Sequence, residues 1–218
     1  MKKLIRGIVE FRKNIRAEYK ERFAHLALGQ KPDTLFIACS DSRVVPNVFA
    51  SADPGDLFVI RNVGNLIAPA AHDGISVSDE SEGAAIEFSV QKLGVQDIIV
   101  CGHSECGAMQ AALAGNVSEQ SPHLRAWIRH ASDALSRHKV GKVPDASLAP
   151  HNQLSQVNAL CQREHLLTYP VVRDAVAAGR LRLHSWWFDL SHADVYVYDE
   201  PLKRFILIDE ASAKKLLA

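Results

Sequence analysis

The stretch Leu35-Phe-Ile-Ala-Cys39-Ser-Asp41-Ser-Arg43 decides the predicted fold. It begins as an apolar run of the length expected for a buried strand and becomes polar after Cys39. In an α/β sheet such a change marks the carboxyl end of a strand, where ligand sites form. Cys39 offers a thiolate, Asp41 offers a carboxylate, and Arg43 is a cation able to clamp that carboxylate through two parallel hydrogen bonds. The sequence therefore predicts a functional site directly after this strand.

A second stretch completes the first. Asp97-Ile-Ile-Val-Cys-Gly102 again reads as a short buried strand, and His103-Ser-Glu-Cys106-Gly107 follows at once. Neighbouring parallel strands bring their carboxyl ends together, so Cys39, His103 and Cys106 could converge on one metal ion. Two thiolates and one imidazole suit zinc, and three protein ligands with a fourth position left over are typical of a catalytic zinc site.

The surrounding pattern predicts an α/β fold. A helical pattern over residues 83–93 ends at Gly94, and the strand within residues 97–102 follows it. This helix and this strand complete a β-α-β unit. Amphipathic spacing over residues 2–27 predicts an N-terminal helical arm (residues 1–28), and three more strands follow residue 179. We expect a single domain (residues 1–218) with a central, mostly parallel sheet flanked by helices and a C-terminal β segment.

Composition narrows the classes of function. Lysine plus arginine and aspartate plus glutamate each number 25, so the formal charge is zero and nothing indicates nucleic acid or an anionic membrane as a partner. No run of about 18 apolar residues is present, and charged residues interrupt any signal-peptide pattern near the N-terminus. We therefore expect a cytoplasmic protein. In a reducing compartment the four cysteines are expected to bind metal or to be buried rather than to form disulfides.

Together, Cys39-Ser-Asp41-Ser-Arg43 and Gly102-His103-Ser-Glu-Cys106-Gly107 resemble the motifs of the β-class carbonic anhydrases, in particular the plant-type, open-site branch. The resemblance continues through residues 54–65, 83–88 and 186–199, and so covers nearly the whole chain. It implies an obligate homo-oligomer with a dimer as its minimal unit and one Zn²⁺ per chain. The implied activity is reversible hydration of carbon dioxide to bicarbonate and a proton, by zinc-hydroxide attack.

The resemblance assigns the zinc ligands to Cys39, His103 and Cys106. Zinc, two thiolates and a neutral imidazole sum to zero charge, so a bound water should be less acidic than at an all-histidine site. We therefore expect activity in the mildly alkaline range. Asp41, held by Arg43, is expected to accept a hydrogen bond from the zinc hydroxide and to aim it at carbon.

Asp41 could instead occupy the fourth zinc position, which would close the site. Family members that use such a closed form carry a tryptophan three residues before the first zinc cysteine, and this chain has Phe36 there. Gln30 is typical of the open, plant-type site. The resemblance therefore favours the open arrangement.

The resemblance also implies a substrate pocket. Phe58 and Val63 fall on positions that wall the carbon dioxide pocket, and Gly107 adjoins it. Gln30 and Phe88 fall on positions that the neighbouring subunit contributes. From the residues alone, Gln30 is a polar loop residue and the apolar side chains are ordinary core.

Three other functions remain open at this point. Relatives with the same zinc constellation hydrolyse carbonyl sulfide or carbon disulfide, and no residue excludes that activity here. A non-catalytic, zinc-stabilised scaffold subunit is a second alternative, although structural zinc would need neither Asp41 nor Arg43. A redox cysteine protein is the third, but the residue three before Cys106 is His103, so no Cys-x-x-Cys pair is present.

Overall fold

The computed structural model describes residues 1–217 and contains one six-stranded sheet in the order β2-β1-β3-β4-β5-β6. The strands are β1 (Thr34–Cys39), β2 (Leu57–Asn62), β3 (Asp97–His103), β4 (Arg182–Asp189), β5 (Asp194–Asp199) and β6 (Arg204–Leu207). The helices are α1 (Lys2–Glu10), α2 (Arg16–Leu26), α3 (Pro46–Phe49), α4 (Glu80–Phe88), α5 (Gly107–Ala114), α6 (Pro122–Ile128), α7 (Ser132–Lys139), α8 (Pro150–Leu166), α9 (Pro170–Ala177) and α10 (Glu210–Leu216).

The sheet is mostly parallel, as predicted. Strands β2, β1, β3 and β4 run parallel to one another, and β5 and β6 continue the sheet as antiparallel neighbours. The near-continuous apolar runs of β1 and β3 suit their central places, because helices cover both faces of such a strand. These parallel pairings bring the carboxyl ends of β1 and β3 side by side.

The core lies on both faces of this sheet. Alternate residues of β1 point to opposite sides, so Leu35 and Ile37 join one buried cluster while Phe36 and Ala38 join another. The second cluster also contains Phe188 from β4. Burial on two faces explains why the sequence of β1 shows an unbroken apolar run instead of alternation.

Two helix boundaries differ from the sequence-based expectation. Helix α4 begins at Glu80 instead of residue 83, because the Asp79 side chain caps it by accepting a 3.0 Å hydrogen bond from the Glu82 N–H. Helix α10 follows the predicted C-terminal β segment and begins with a reciprocal capping box between Asp209 and Ser212. Both starts depend on a single acidic side chain rather than on an apolar pattern.

The N-terminal arm consists of α1 and α2, joined by a π-helical turn over Phe11–Ile15, and contains no buried residue. An ion pair between Arg22 and Asp53 connects it to the rest of the chain. Its apolar side chains are largely exposed, namely Leu4, Ile5, Ile8, Val9, Phe11, Ile15 and Phe23. The single-domain organisation with an arm over residues 1–28 stays a prediction. Within residues 1–217, no helix has the length and apolarity needed to cross a membrane.

Candidate metal centre

Cys39, His103 and Cys106 form one buried group, and their ligand atoms all lie within 4.8 Å of one another. Cys39 ends β1 and His103 ends β3, and pairing of Ala38 with Cys101 places these two strand ends side by side. Cys106 lies three residues after His103, directly before α5. The parallel pairing therefore brings together the three residues that the sequence suggested as metal ligands.

The His103 imidazole is prepared to bind a metal. Its Nδ1 lies 2.8 Å from the Ser104 carbonyl, which can only accept, so Nδ1 carries the hydrogen and Nε2 carries a lone pair. The Nε2 atom is buried and has no hydrogen-bond partner in the described part of the chain. A buried nitrogen of this kind is costly unless a ligand meets it. This observation fits a metal ion bound at Nε2.

The two thiols are arranged so that a cation is needed for both to ionise. A hydrogen bond from the Cys106 thiol lowers the pKa of Cys39, and the N–H groups of Gly64 and Asp41 also contact Cys39 Sγ, at 3.3 and 3.4 Å. The pKa of Cys106 is raised, because its ionisation would put a second thiolate against the first in a buried place. A divalent cation removes this repulsion, so the donor set fits zinc.

Arg43 holds the Asp41 carboxylate from three directions. Asp41 Oδ1 accepts from the backbone N–H and the Nε of Arg43, both at 2.9 Å, and Oδ2 accepts from Nη2 at 2.7 Å. These hydrogen bonds hold the pKa of Asp41 well below its usual range. Arg43 also donates to the Glu105 carbonyl at 3.1 Å. The carboxylate is thus paired with Arg43 and does not belong to the three-residue metal group.

Two of the suggested pocket residues adjoin the metal group. Val63 precedes Gly64, the residue whose N–H contacts Cys39, and Val63 is 43% exposed. Gly107 follows Cys106 at the start of α5, and a Cβ added there would meet nothing within 4 Å. Both positions therefore border open space beside the metal group.

Phe58 and Phe88 lie elsewhere on the same chain. Phe58 on β2 pairs with Leu35 on β1, whereas Cys39 pairs with Asn62. Phe58 therefore lies four residues along the strands from Cys39. That separation is about 13 Å along the strand, so Phe58 lies away from the metal group of its own chain. The rings of Phe58 and Phe88 are 5.9 Å apart, and Phe88 is 44% exposed. The two residues form one aromatic pair near the opposite end of the strands.

Gln30 is also separate from the metal group. It lines a cavity of about 850 Å³ between α2 and the turn around Gly55. The residues lining this cavity include none of the three suggested ligands. Within one chain, the structure therefore brings Val63 and Gly107 to the metal group, but not Gln30, Phe58 or Phe88.

Sequence reasoning missed the residues that hold the loop beside Cys39. Residues 63–70, here called the clamped segment, lack regular structure, yet residues 64–68 are buried. Side chains from elsewhere in the chain form hydrogen bonds with its backbone groups. The carbonyls accept from Trp127 (at Val63), Asn158 (at Gly64), His165 (at Ile67) and Tyr169 (at Ala68), and the N–H groups donate to Gln162 (from Ile67), Glu82 (from Ala68) and Thr168 (from Ala70). Most of these partners lie more than 90 residues away in sequence, as in Ile67 and Gln162 at 95, so local patterns could not find them.

Comparison with known proteins gives a consistent set of relatives. A protein-family model described as Carbonic anhydrase matches residues 34–195. A carbonic anhydrase from Pseudomonas aeruginosa is 36% identical over 210 residues, covering 96% of this chain and 93% of that protein. A carbonic anhydrase from Synechocystis sp. is 38% identical over 213 residues, covering 94% of this chain and 74% of that protein.

Solved structures agree with the sequence relatives. The β-carbonic anhydrase CcaA superposes with a TM-score of 0.87 at 35% identity, covering 95% of this chain and 98% of that one. Tetrameric β-carbonic anhydrases from Sordaria macrospora give a TM-score of 0.75 at 27% identity, covering 89% of this chain and 94% of that one. The similarity thus extends over nearly the whole fold, including the sheet that carries the metal group.

Proposed function

The chain belongs to the β-class carbonic anhydrase family, and we propose that it catalyses the reversible hydration of carbon dioxide to bicarbonate and a proton with one zinc ion per chain. The observation that carries this proposal is the buried group of Cys39, His103 and Cys106 beside an Asp41 clamped by Arg43. A purely structural zinc would need no carboxylate held ready next to it. The Asp41–Arg43 pair therefore favours a catalytic site over a scaffold.

Zinc bound by Cys39, His103 and Cys106 would acidify a water molecule and so supply the hydroxide that attacks carbon. The three side chains are suited to hold the ion because His103 presents a lone pair and both sulfurs can ionise once a cation is present. The total charge of two thiolates and zinc is zero, which makes the water less acidic than at a site with three histidines. Activity should therefore rise with pH on the alkaline side of neutrality.

Asp41 would orient the nucleophile. Because Arg43 keeps its pKa low, Asp41 stays ionised and can only accept hydrogen bonds. Arg43 donates to both carboxylate oxygens and fixes their direction, while the remaining lone pair of Oδ2 is free to accept from the O–H of the attacking group. The carboxylate thereby keeps that O–H turned away and the oxygen lone pair facing carbon.

We further propose that the active unit is a homo-oligomer with a dimer as its smallest form. Carbon dioxide has no dipole, so it needs an apolar pocket, and Val63 supplies one wall beside the metal group. Gln30 and the Phe58–Phe88 pair lie away from the metal group of their own chain, and we assign them to the pocket of a neighbouring chain. The exposed apolar side chains of the arm offer a surface for that contact. The related enzymes of Sordaria macrospora are described as tetrameric.

A cytoplasmic location forms part of the same proposal. All four cysteines are buried and free, which suits a reducing compartment in which two of them are metal ligands. Carbon dioxide and bicarbonate are the partners that this site requires, besides copies of the chain itself.

The proposal is tested by stopped-flow carbon dioxide hydration with a pH indicator, from about pH 6.5 to 9, a range that brackets the expected acidity of the bound water. Zinc content is measured on the same samples. Wild-type protein should bind zinc and gain activity with rising pH. Cys39→Ala should lose both zinc and activity, whereas Asp41→Asn should keep zinc and lose activity by about 10- to 100-fold.

Asp73→Asn is a matched control, because Asp73 is an exposed aspartate in a loop and should change neither property. Fully zinc-loaded wild-type protein that hydrates no carbon dioxide at any pH would contradict the proposal. In that case carbonyl sulfide and carbon disulfide are the next substrates to assay.

A further inference from the structure

A buried carboxylate belongs to the clamped segment. Glu82, in the first turn of α4, is only 4% exposed. Its Oε1 accepts from Asn62 Nδ2 at 2.8 Å, and its Oε2 accepts from the Ala68 N–H at 3.2 Å. Glu82 therefore bridges the last residue of β2 and the far end of the buried loop, and the steps of catalysis described above do not use it.

No positive charge compensates this carboxylate. Within residues 1–217 no lysine, arginine or histidine pairs with Glu82, and the nearby Asp79 carboxylate repels its charge. The charge of Glu82 also acts on the Tyr169 hydroxyl, which donates to the Ala68 carbonyl, and His165 contacts the same loop at the Ile67 carbonyl. Burial is the main cause that raises the pKa of Glu82 to about 8. Glu82 therefore exchanges its proton in the range in which the enzyme is expected to work.

The two protonation states of Glu82 cannot hold the loop equally well. An ionised carboxylate only accepts, which matches the two N–H donors that face its two oxygens. A protonated carboxyl carries a hydroxyl, so one N–H would face a group that also donates. The ionised form therefore keeps both hydrogen bonds, and the protonated form weakens one of them.

The held loop leads to the metal group. The Asn62 side chain that donates to Glu82 also bonds the N–H and the carbonyl of Leu66, at 2.8 and 2.7 Å. Two residues before Leu66, the Gly64 N–H donates to Cys39 Sγ. A change at Glu82 is thus transmitted through Asn62 to the backbone that contacts a suggested zinc ligand.

We propose that Glu82 is a positioning residue whose ionised carboxylate fixes residues 62–68 and keeps the Gly64 N–H against Cys39 Sγ. Uptake of a proton by Glu82 loosens this loop and lowers the rate of catalysis. The activity readout of this inference rests on the proposed function, whereas the structural readout does not.

Trp127 supplies a structural readout, because its indole N–H donates to the Val63 carbonyl at 2.8 Å. The ¹H–¹⁵N indole signal of Trp127, assigned with Trp127→Phe, is followed from about pH 7 to 9.5 in zinc-loaded full-length protein. The His130 ring lies 5.3 Å from the Trp127 ring, but burial lowers the pKa of His130, so its titration falls below this range. Trp187 donates to Ser155 at 3.2 Å and serves as an internal reference away from Glu82.

We expect the Trp127 signal to titrate near pH 8 in wild-type protein and to stop titrating in Glu82→Gln. Glu80→Gln is the matched control, because Glu80 is exposed in the same helical turn and its loss should leave the titration unchanged. A titration that persists in Glu82→Gln, or a wild-type signal that does not move, overturns the inference. If Glu82→Gln does not fold, the wild-type titration decides alone: a shift at Trp127 without one at Trp187 supports the inference.

Activity supplies the second readout. The glutamine amide faces one N–H donor with its own NH₂ group and so mimics the protonated acid. We expect kcat/KM of Glu82→Gln to be about fivefold below wild type at pH 9, the effect of one lost hydrogen bond, and similar to wild type at pH 7. An unchanged pH profile overturns the inference. Absence of carbon dioxide hydration in every variant would instead count against the proposed function and leave the spectroscopic result standing.

Discussion

The N-terminal arm and the clamped segment are opposites: the arm leaves apolar side chains exposed, and the segment buries backbone groups that must be hydrogen-bonded from elsewhere. The arm is regular helix, so its backbone bonds are satisfied within each turn, but its apolar side chains face solvent. The clamped segment is irregular and buried, so its apolar atoms are covered while its backbone groups need partners from elsewhere. The arm therefore offers a surface for the proposed contact with a second copy, and the segment depends on distant side chains of its own chain.

The largest effect should come from breaking the arm. Replacing two apolar residues of α1 together, Ile5→Asp and Ile8→Asp, puts charges into the surface that we propose to contact a second copy. We expect monomers by light scattering and a loss of carbon dioxide hydration of at least about 100-fold, because the pocket would lack the partner's contribution.

Lys3→Asp changes the charge of a residue on the same helix without touching its apolar side chains, and it should leave assembly intact. An Ile5→Asp, Ile8→Asp protein that stays oligomeric and active would show that the arm does not hold the copies together.

The next effect should come from unclamping the segment. Gln162 is fully buried; it accepts from the Ile67 N–H and donates to the His130 carbonyl and to Asn158. Gln162→Leu leaves these partners unsatisfied and should lower the free energy of unfolding by about 3 kcal/mol. Urea unfolding at fixed protein concentration measures this free energy, and Gln91→Leu, at an exposed glutamine, is the control. A loss below about 0.5 kcal/mol, typical of surface sites, would mean that the clamp contributes little stability.

A smaller, pH-dependent effect on stability should come from Glu82→Gln, which removes the charge of the carboxylate that binds the segment at Ala68 but keeps its size. The pKa of Glu82 is raised from its ordinary value of 4.5 to about 8, so the folded protein retains a proton that the unfolded chain releases. The stability of the wild type should fall as pH rises between these values and level off above pH 8. Glu82→Gln cannot ionise, so its Tm relative to wild type should rise by about 6 °C between pH 6 and 9.

The Tm difference between Glu80→Gln and wild type should stay constant over the same range, because Glu80 is exposed. A constant difference for Glu82→Gln as well would mean that Glu82 ionises in the folded protein as readily as in the unfolded chain.

The smallest effect should come from one clamp at the edge of the segment. Trp127→Phe keeps an aromatic side chain but removes the indole N–H and its hydrogen bond to the Val63 carbonyl. We expect a loss of about 1 kcal/mol in stability and a similar, roughly fivefold loss in kcat/KM. Trp186→Phe is the control, because that ring packs edge-on against Phe36 away from the segment. A Trp127→Phe enzyme with unaltered kcat/KM would show that Val63 needs no such support.

The sequence predicted best what depends on neighbouring residues. The apolar run before Cys39 and the one before His103 are strands, and Gly94 ends its helical segment in a left-handed conformation at φ +68°. These features follow from burial and from backbone sterics, which act within a few residues. The mostly parallel sheet followed from them and is confirmed.

The features that the sequence analysis missed are of two kinds, one local and one long-range. Helix α10 and the early start of α4 depend on the caps Asp209 and Asp79, and a search for an acidic residue followed by Ser or Glu three places later could have found both. The clamps could not be found in this way, since Gly64 and Asn158 are 94 residues apart. The assignments of Gln30, Phe58 and Phe88 to a shared pocket stay predictions, because they concern a second chain.

The origin of the clamps also bears on the order in which the protein folds. Asn158, Gln162, His165 and Tyr169 all belong to α8 or the turn that follows it, yet they hold a loop whose residues precede them by 94 to 101 positions. Contacts of such long range form late, because closing a long loop costs entropy before any bond is gained. During synthesis, β1 and β3 emerge with Cys39, His103 and Cys106 well before α8 does. We therefore expect the backbone contacts around the suggested zinc ligands to be completed late, once the second half of the chain has docked.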